Sequence, residues 1–176
     1  MDEKQFLIEN VLAAKSDLKI REITDFLDHI RHETVTQPVV YIGSGTCGKV
    51  AGAGETFKAV SRYLDEKNIK AEIVQVGCIG LCSYEPIVDI QMPGKARISF
   101  RNITHEIVEP LLDDIFNSEV PVEHILGQFN NTRHNRWDNV PLISELPFFK
   151  FQNRIVLANC GISNPDSIAD YIARGG

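Results

Sequence analysis

Reactive side chains in this chain gather in two short stretches. "GSGTCGKVAGAG" (43–54) carries Cys47, and "VGCIGLCSYEP" (76–86) carries Cys78 and Cys82, so three of the four cysteines fall in two glycine-rich segments. Three residues separate Cys78 from Cys82, a spacing that lets two thiolates on a tight loop converge on one iron or zinc ion. Gly77 and Gly80 would let backbone N–H groups approach the sulfurs, which is how amides tune an iron–sulfur site. Two other readings stand beside metal binding. The thiols could be small buried residues, or a redox dithiol, although that chemistry favours two intervening residues at a helix N-terminus. None of the five histidines is spaced as a ligand against the cysteines. His29 and His32 stand at i, i+3 on an expected helix, where they could chelate or simply face solvent. Gly43, Gly45, Gly48 and Gly52 suggest a phosphate loop, but the G-x-G-x-x-G register and the Lys-Ser/Thr pair are both missing. Glu85, beside Pro86, reads as a turn-shaping residue, and no Ser-His-Asp order can be defended.

The totals restrict what these residues could serve. At 176 residues, 43% hydrophobic and 24% charged, the chain is of globular composition. A formal charge of −6 with scattered Lys and Arg argues against a nucleic-acid partner, which needs a basic face. No run approaches the ~20 apolar residues of a membrane span. The acidic, amphipathic start "MDEKQFLIEN" does not read as a secretory leader. Cysteines in a chain expected to be cytoplasmic point to thiol or metal chemistry sooner than to disulfides.

Helical periodicity through Phe6, Leu7, Val11 and Leu12, then Ile20, Ile23, Phe26, Leu27 and Ile30, predicts helix over 3–32 with a break at Ser16-Asp17. Val39 to Ile42 reads as a buried strand. Phe57, Val60, Tyr63 and Leu64 mark a helix stopping at Asn68, and "AEIVQV" (71–76) is the next strand. "IVDIQM" (87–92) and "ARISF" (96–100) alternate around the turn Pro93-Gly94-Lys95 as a hairpin. Thr104 is expected to cap a helix over 105–116. The order β-α-β-β-β-α predicts an α/β fold, a thioredoxin-like (ferredoxin-type) sandwich. Around it we expect a helical extension over 1–36, a domain over 37–118 and a linker arm over 119–176. Residues 117–150, polar with spaced prolines, read as the linker. "NRIVLANCG" (153–161) reads as extended, and the final helix should be capped by Asn164, begin at Pro165 and stop at Gly175.

"GTCGKVAGA" (45–53) together with "GCIGLCSYEPIVDI" (77–90) resembles the thioredoxin-like [2Fe–2S] module at the N-terminus of the FMN-carrying subunit of NADH dehydrogenases of the complex I type and of NAD-reducing hydrogenases. "PFFKFQNRIVLANCGISNPDSIADYIARGG" (147–176) is similar to the segment joining that module to the flavin domain. The resemblance spans residues 38–176. It implies an electron-transfer role in which NADH gives a hydride to FMN and single electrons leave through iron–sulfur centres. It also implies a [2Fe–2S] cluster on Cys47, Cys78 and Cys82, where the related ferredoxin domain uses two cysteines in each loop. Here Ile42 stands near the place of the missing thiol. Ser44 or Cys160 could supply a fourth ligand, or the loops could survive without a cluster as a docking surface.

FMN, NAD and a [4Fe–4S] cluster are expected in a C-terminal part that this sequence does not contain, so the chain alone is not expected to oxidise NADH. The implied partners are a ferredoxin-like subunit and a catalytic subunit of an NADH-oxidising complex, with a cytoplasmic location, peripheral to the membrane. A docking domain is the alternative. Phe129, Trp137, Phe148 and Phe149 would either anchor partners or cover the chain's own core.

Overall fold

Val39, Val40, Tyr41, Ile42 and Gly43 are all buried, as a strand must be when neighbours flank it and both its faces are covered. In the computed structural model, which describes residues 2–13 and 20–176, this strand β1 (Val39–Gly43) sits inside a five-stranded sheet. The expected break at Ser16-Asp17 lies outside the described residues.

The elements run α1 (Glu3–Leu7, continued by a π-helical turn over Ile8–Leu12), α2 (Ile20–Ile30), β1, α3 (Thr46–Val50), α4 (Ala53–Glu66), β2 (Glu72–Val76), β3 (Val88–Gln91), β4 (Ile98–Phe100), α5 (Val108–Phe116), β5 (Ile125–Gln128) and α6 (Ile168–Ala173). Sheet order is β2-β1-β3-β4-β5. β1 pairs in parallel with β2, Val40 opposite Ile73. The β1–β3, β3–β4 and β4–β5 pairs are antiparallel. This is the mixed α/β, thioredoxin-like arrangement expected from the sequence.

Period-two alternation divides β1 between two cores. Val40 and Ile42 join Val88, Ile90, Ile98 and Phe100 under α4 and α5. Val39 and Tyr41 face the other way with Val74 and Val76. On α4 the buried positions Thr56, Ala59, Val60, Tyr63 and Leu64 form one stripe, and the helix ends before Asn68, whose φ of 53° suits a left-handed stop. Gly94 (φ 74°) turns the β3–β4 connection as expected. α6 closes on the N-terminal helices: Leu7 and Ile30 pack with Ala169, Ile172 and Ala173.

Several local expectations are corrected. Residues 117–150 are not simply a linker. They supply β5, which pairs with β4, and their Trp137 is only 6% exposed. Indole Nε1–H donates to the Ala96 carbonyl at 2.7 Å, and the Gln128 side chain donates to the carbonyls of Trp137 and Val140. The segment therefore replaces water for the core's own polar groups. The helix expected over 105–116 starts at Val108, because the Thr104 carbonyl, not its side chain, takes the Ile107 and Val108 N–H groups. Residues 153–161 form no strand, and 156–161 run in successive turns, with Ala158 N–H bonded to Ile155 O and Cys160 N–H to Leu157 O. Ser167 caps α6 by accepting from Asp170 N–H, while Asn164 turns the chain before it by accepting from Asp166 N–H. Gly175, at φ 90°, ends that helix as anticipated.

Candidate metal centre

β1 and β2 are parallel and adjacent, so their C-terminal ends deliver both cysteine loops to one edge of the sheet. After β1 the chain runs through Ser44 and Gly45 into α3, which carries Cys47 in its first turn. That segment was expected to be loop. After β2, Gly77 leads to Cys78, a turn through Gly80, and a 3₁₀ turn over Cys82–Tyr84. Gly80 has φ 99°, a conformation side chains resist, and the turn it permits aims its N–H at Cys78 Sγ at 3.2 Å. Gly45 lets the loops touch: a Cβ there would stand 3.2 Å from Cys78 Cβ.

The result is a triad. The Sγ atoms of Cys47, Cys78 and Cys82 all lie within 4.8 Å of one another, with Cys78 and Cys82 at 3.7 Å. For thiolates about 2.3 Å from a shared tetrahedral ion, the edge of the tetrahedron is about 3.8 Å. Cys78 and Cys82 are already at that separation. Cys82 is exposed and the other two are partly so, and all three are reduced.

Cys78 and Cys47 resist ionising. Burial pushes the Cys78 thiol up to about 12 against the amide of Gly80, with Cys82 and the Glu85 carboxylate adding to the rise. Hydrogen bonding to Cys82 raises Cys47 as well. A cation shared by three sulfurs would reverse this, because thiolates rather than thiols are the ligands.

Other candidates are placed apart from the triad. Ser44 Oγ donates to the Ile42 carbonyl at 3.3 Å. Ile42 is fully buried and points into the core under α4. Cys160 stands outside the triad, although its neighbour Gly161 packs on the second loop: a Cβ at 161 would come 1.9 Å from Ile79 Cγ2. His32 leaves α2 at φ 55° and sets Nε2 3.1 Å from a Glu72 carboxylate oxygen, and among the described residues no group of three metal-ligating side chains includes it or His29.

Glu85, which the sequence offers only as a turn-shaping residue, has more to it in the structure. It is 7% exposed, and its Oε2 accepts from the Ile87 N–H at 2.8 Å. Among the described residues its Oε1 is buried with no partner. Desolvation raises its carboxyl, while the hydrogen bond from the Ile87 N–H opposes the rise. Glu85, Asp89 and Gly161 also border a cavity of about 10 Å³.

No protein-family profile matches the chain. In three dimensions it is similar to a thioredoxin-like [2Fe–2S] ferredoxin from Aquifex aeolicus, at 16% identity and a TM-score of 0.45, covering 55% of this chain and 96% of that one. A structure of the wild-type form of that ferredoxin gives 15% identity, a TM-score of 0.41 and coverage of 55% and 99%. A cysteine-to-serine variant of it gives 14%, 0.42, and 53% and 98%. At those values the likeness carries no weight in assigning the site. The sulfur geometry does.

Proposed function

We propose that this chain is a one-electron carrier that holds an iron–sulfur centre on Cys47, Cys78 and Cys82. One observation carries the reading: three thiols from two separate loops meet within 4.8 Å of one another. Two strand ends, an added helix and a left-handed glycine are all spent on bringing them together, whereas a buried thiol with a packing role needs none of these. Bound there, the centre would supply a reversible one-electron store. The chain's own residues hold it from two loops, and the Gly80 N–H directed at Cys78 Sγ stabilises negative charge on sulfur.

The sequence resemblance of residues 38–176 supports a place in an NADH-oxidising flavoprotein assembly. FMN, NADH and a [4Fe–4S] cluster would belong to other parts of that assembly, with the catalytic and ferredoxin-like subunits as partners and a cytoplasmic position peripheral to the membrane. Among the described residues no helix is long and apolar enough to cross a membrane.

Anaerobic reconstitution with iron and sulfide tests the assignment. The expected product is brown, with a reducible signal in electron paramagnetic resonance, and Cys78→Ser and Cys82→Ser should lose most of the colour. A colourless wild-type product sinks the proposal. One feature favours a second reading, that of a docking domain. Phe151, Ile155, Val156 and Leu157 are 57–94% exposed along one short stretch, and exposed apolar residues close together mark contact sites. Polar replacement of all four should abolish capture of the flavin-bearing partner. Undiminished capture would remove that reading.

A further inference from the structure

We propose that Glu85 supplies the fourth ligand, an oxygen, of the centre held by Cys47, Cys78 and Cys82. The inference rests on the iron–sulfur reading above. Three thiolates leave a two-iron cluster one protein ligand short, and such clusters accept nitrogen in place of sulfur on one iron, so the donor need not be a thiol.

The described residues around the loops offer few donors. Ser44 Oγ is turned back to the Ile42 carbonyl. Cys160 lies outside the thiol group. Glu85 differs from both in three ways. Its Oε1 is buried and unpartnered, and leaving such an oxygen unsatisfied costs about 1–3 kcal/mol, more when charged. Glu85 is also the residue that closes the 3₁₀ turn begun by Cys82. The backbone also leaves room for its carboxylate: a Cβ at Gly43 would come 2.7 Å from Oε2, whereas Gly48 is required first by the Gly43 carbonyl, 2.0 Å from where its Cβ would stand. Glycine at the end of β1 thus makes room for the carboxylate that follows the second cysteine-bearing turn. Oε2 is anchored by the Ile87 N–H, which fixes the group while Oε1 stays free to bind. The carboxylate lies outside the tight triad. In a two-iron centre the donors divide between the irons, so a ligand to one iron need not lie near every thiolate on the other.

The full chain, reconstituted anaerobically with iron and sulfide, decides the matter. Glu85→Gln removes the anionic donor at nearly constant shape and should lower iron affinity at least about tenfold. Glu85→Cys should restore loading, with charge-transfer bands moved to longer wavelength and shifted g values as sulfur replaces oxygen. Mössbauer spectra of the wild-type chain provide a reading independent of folding in either variant: one all-sulfur iron and one with an oxygen ligand are expected. A circular-dichroism-verified, folded Glu85→Gln with wild-type loading and g values overturns the assignment and leaves Oε1 to the small cavity beside Asp89. Two equivalent all-sulfur irons overturn it as well. A wild-type chain that takes up no iron overturns the electron-carrier reading together with this one, so the two failures are distinct.

Discussion

Cys78 is a thiol that the folded chain protects from ionising and that must nevertheless ionise to hold metal. Burial keeps its proton to about pH 12, whereas the ordinary value is 9.0. Between those values the unfolded chain gives up a proton that the folded chain retains, so the metal-free protein loses stability as pH rises above 9. Guanidinium unfolding midpoints at pH 8 and pH 10 should fall further for the wild type than for Cys78→Ala, since the variant lacks this group. Equal falls would show that the burial is not felt. Metal uptake moves in the opposite sense: protons compete for the sulfurs, so apparent affinity weakens as pH is lowered. At this scale the sequence was informative about sulfur and weak about oxygen, where it offered Ser44 and gave Glu85 only a turn role. Cysteine is scarce, and two cysteine-bearing loops after two strands have few uses. A glutamate before proline is common in turns, and only the folded chain reveals that Glu85 has, among the described residues, a buried oxygen without a partner.

Strand β5 and the coil after it are where reading by periodicity ran out. β5 has four residues, one of them glycine, and the residues that follow are polar, so neither a period of two nor one of 3.6 emerges. The central elements β1, α4, β3 and β4 were legible because each carries an uninterrupted apolar pattern. The coil is held by Trp137, which is buried against Ala96 and tied to the Gln128 side chain through its own backbone N–H at 2.9 Å. Trp137→Ala should therefore destabilise the whole module by about 3–5 kcal/mol, as emptying a core aromatic site does. Denaturant unfolding measures this, and a loss under 1 kcal/mol would return the segment to the status of a loose arm. The apolar "RIVLA" failed as a strand for a related reason: hydrophobic content does not create a partner, and Val156 is 94% exposed.

Over the whole molecule, one buried ion pair joins sheet and tail. Arg97 donates from Nε to Asp89 Oδ2 at 2.9 Å and from Nη2 to the Gly161 carbonyl at 2.7 Å. Its guanidinium carbon lies 3.6 Å from the Tyr41 ring centroid and 4.7 Å from that of Phe129. Arg97→Ala would strand a buried carboxylate, with an expected loss of about 3–5 kcal/mol, whereas Arg97→Met combined with Asp89→Leu should recover most of it. Thermal or denaturant unfolding of the three variants gives the comparison, and a double variant no better than the single one would refute it. Gly161→Ala should undo the tail locally, since its Cβ has no space beside Ile79 and φ is 78°. Hydrogen exchange over 150–165 should quicken while β1 and β3 stay protected. Gly161 thereby works as a latch: whatever tugs at the tail also tugs at Ile79, which lies between the two cysteines of the second loop. The rate at which a maleimide reaches Cys78 and Cys82 then becomes a gauge of how firmly the tail is seated.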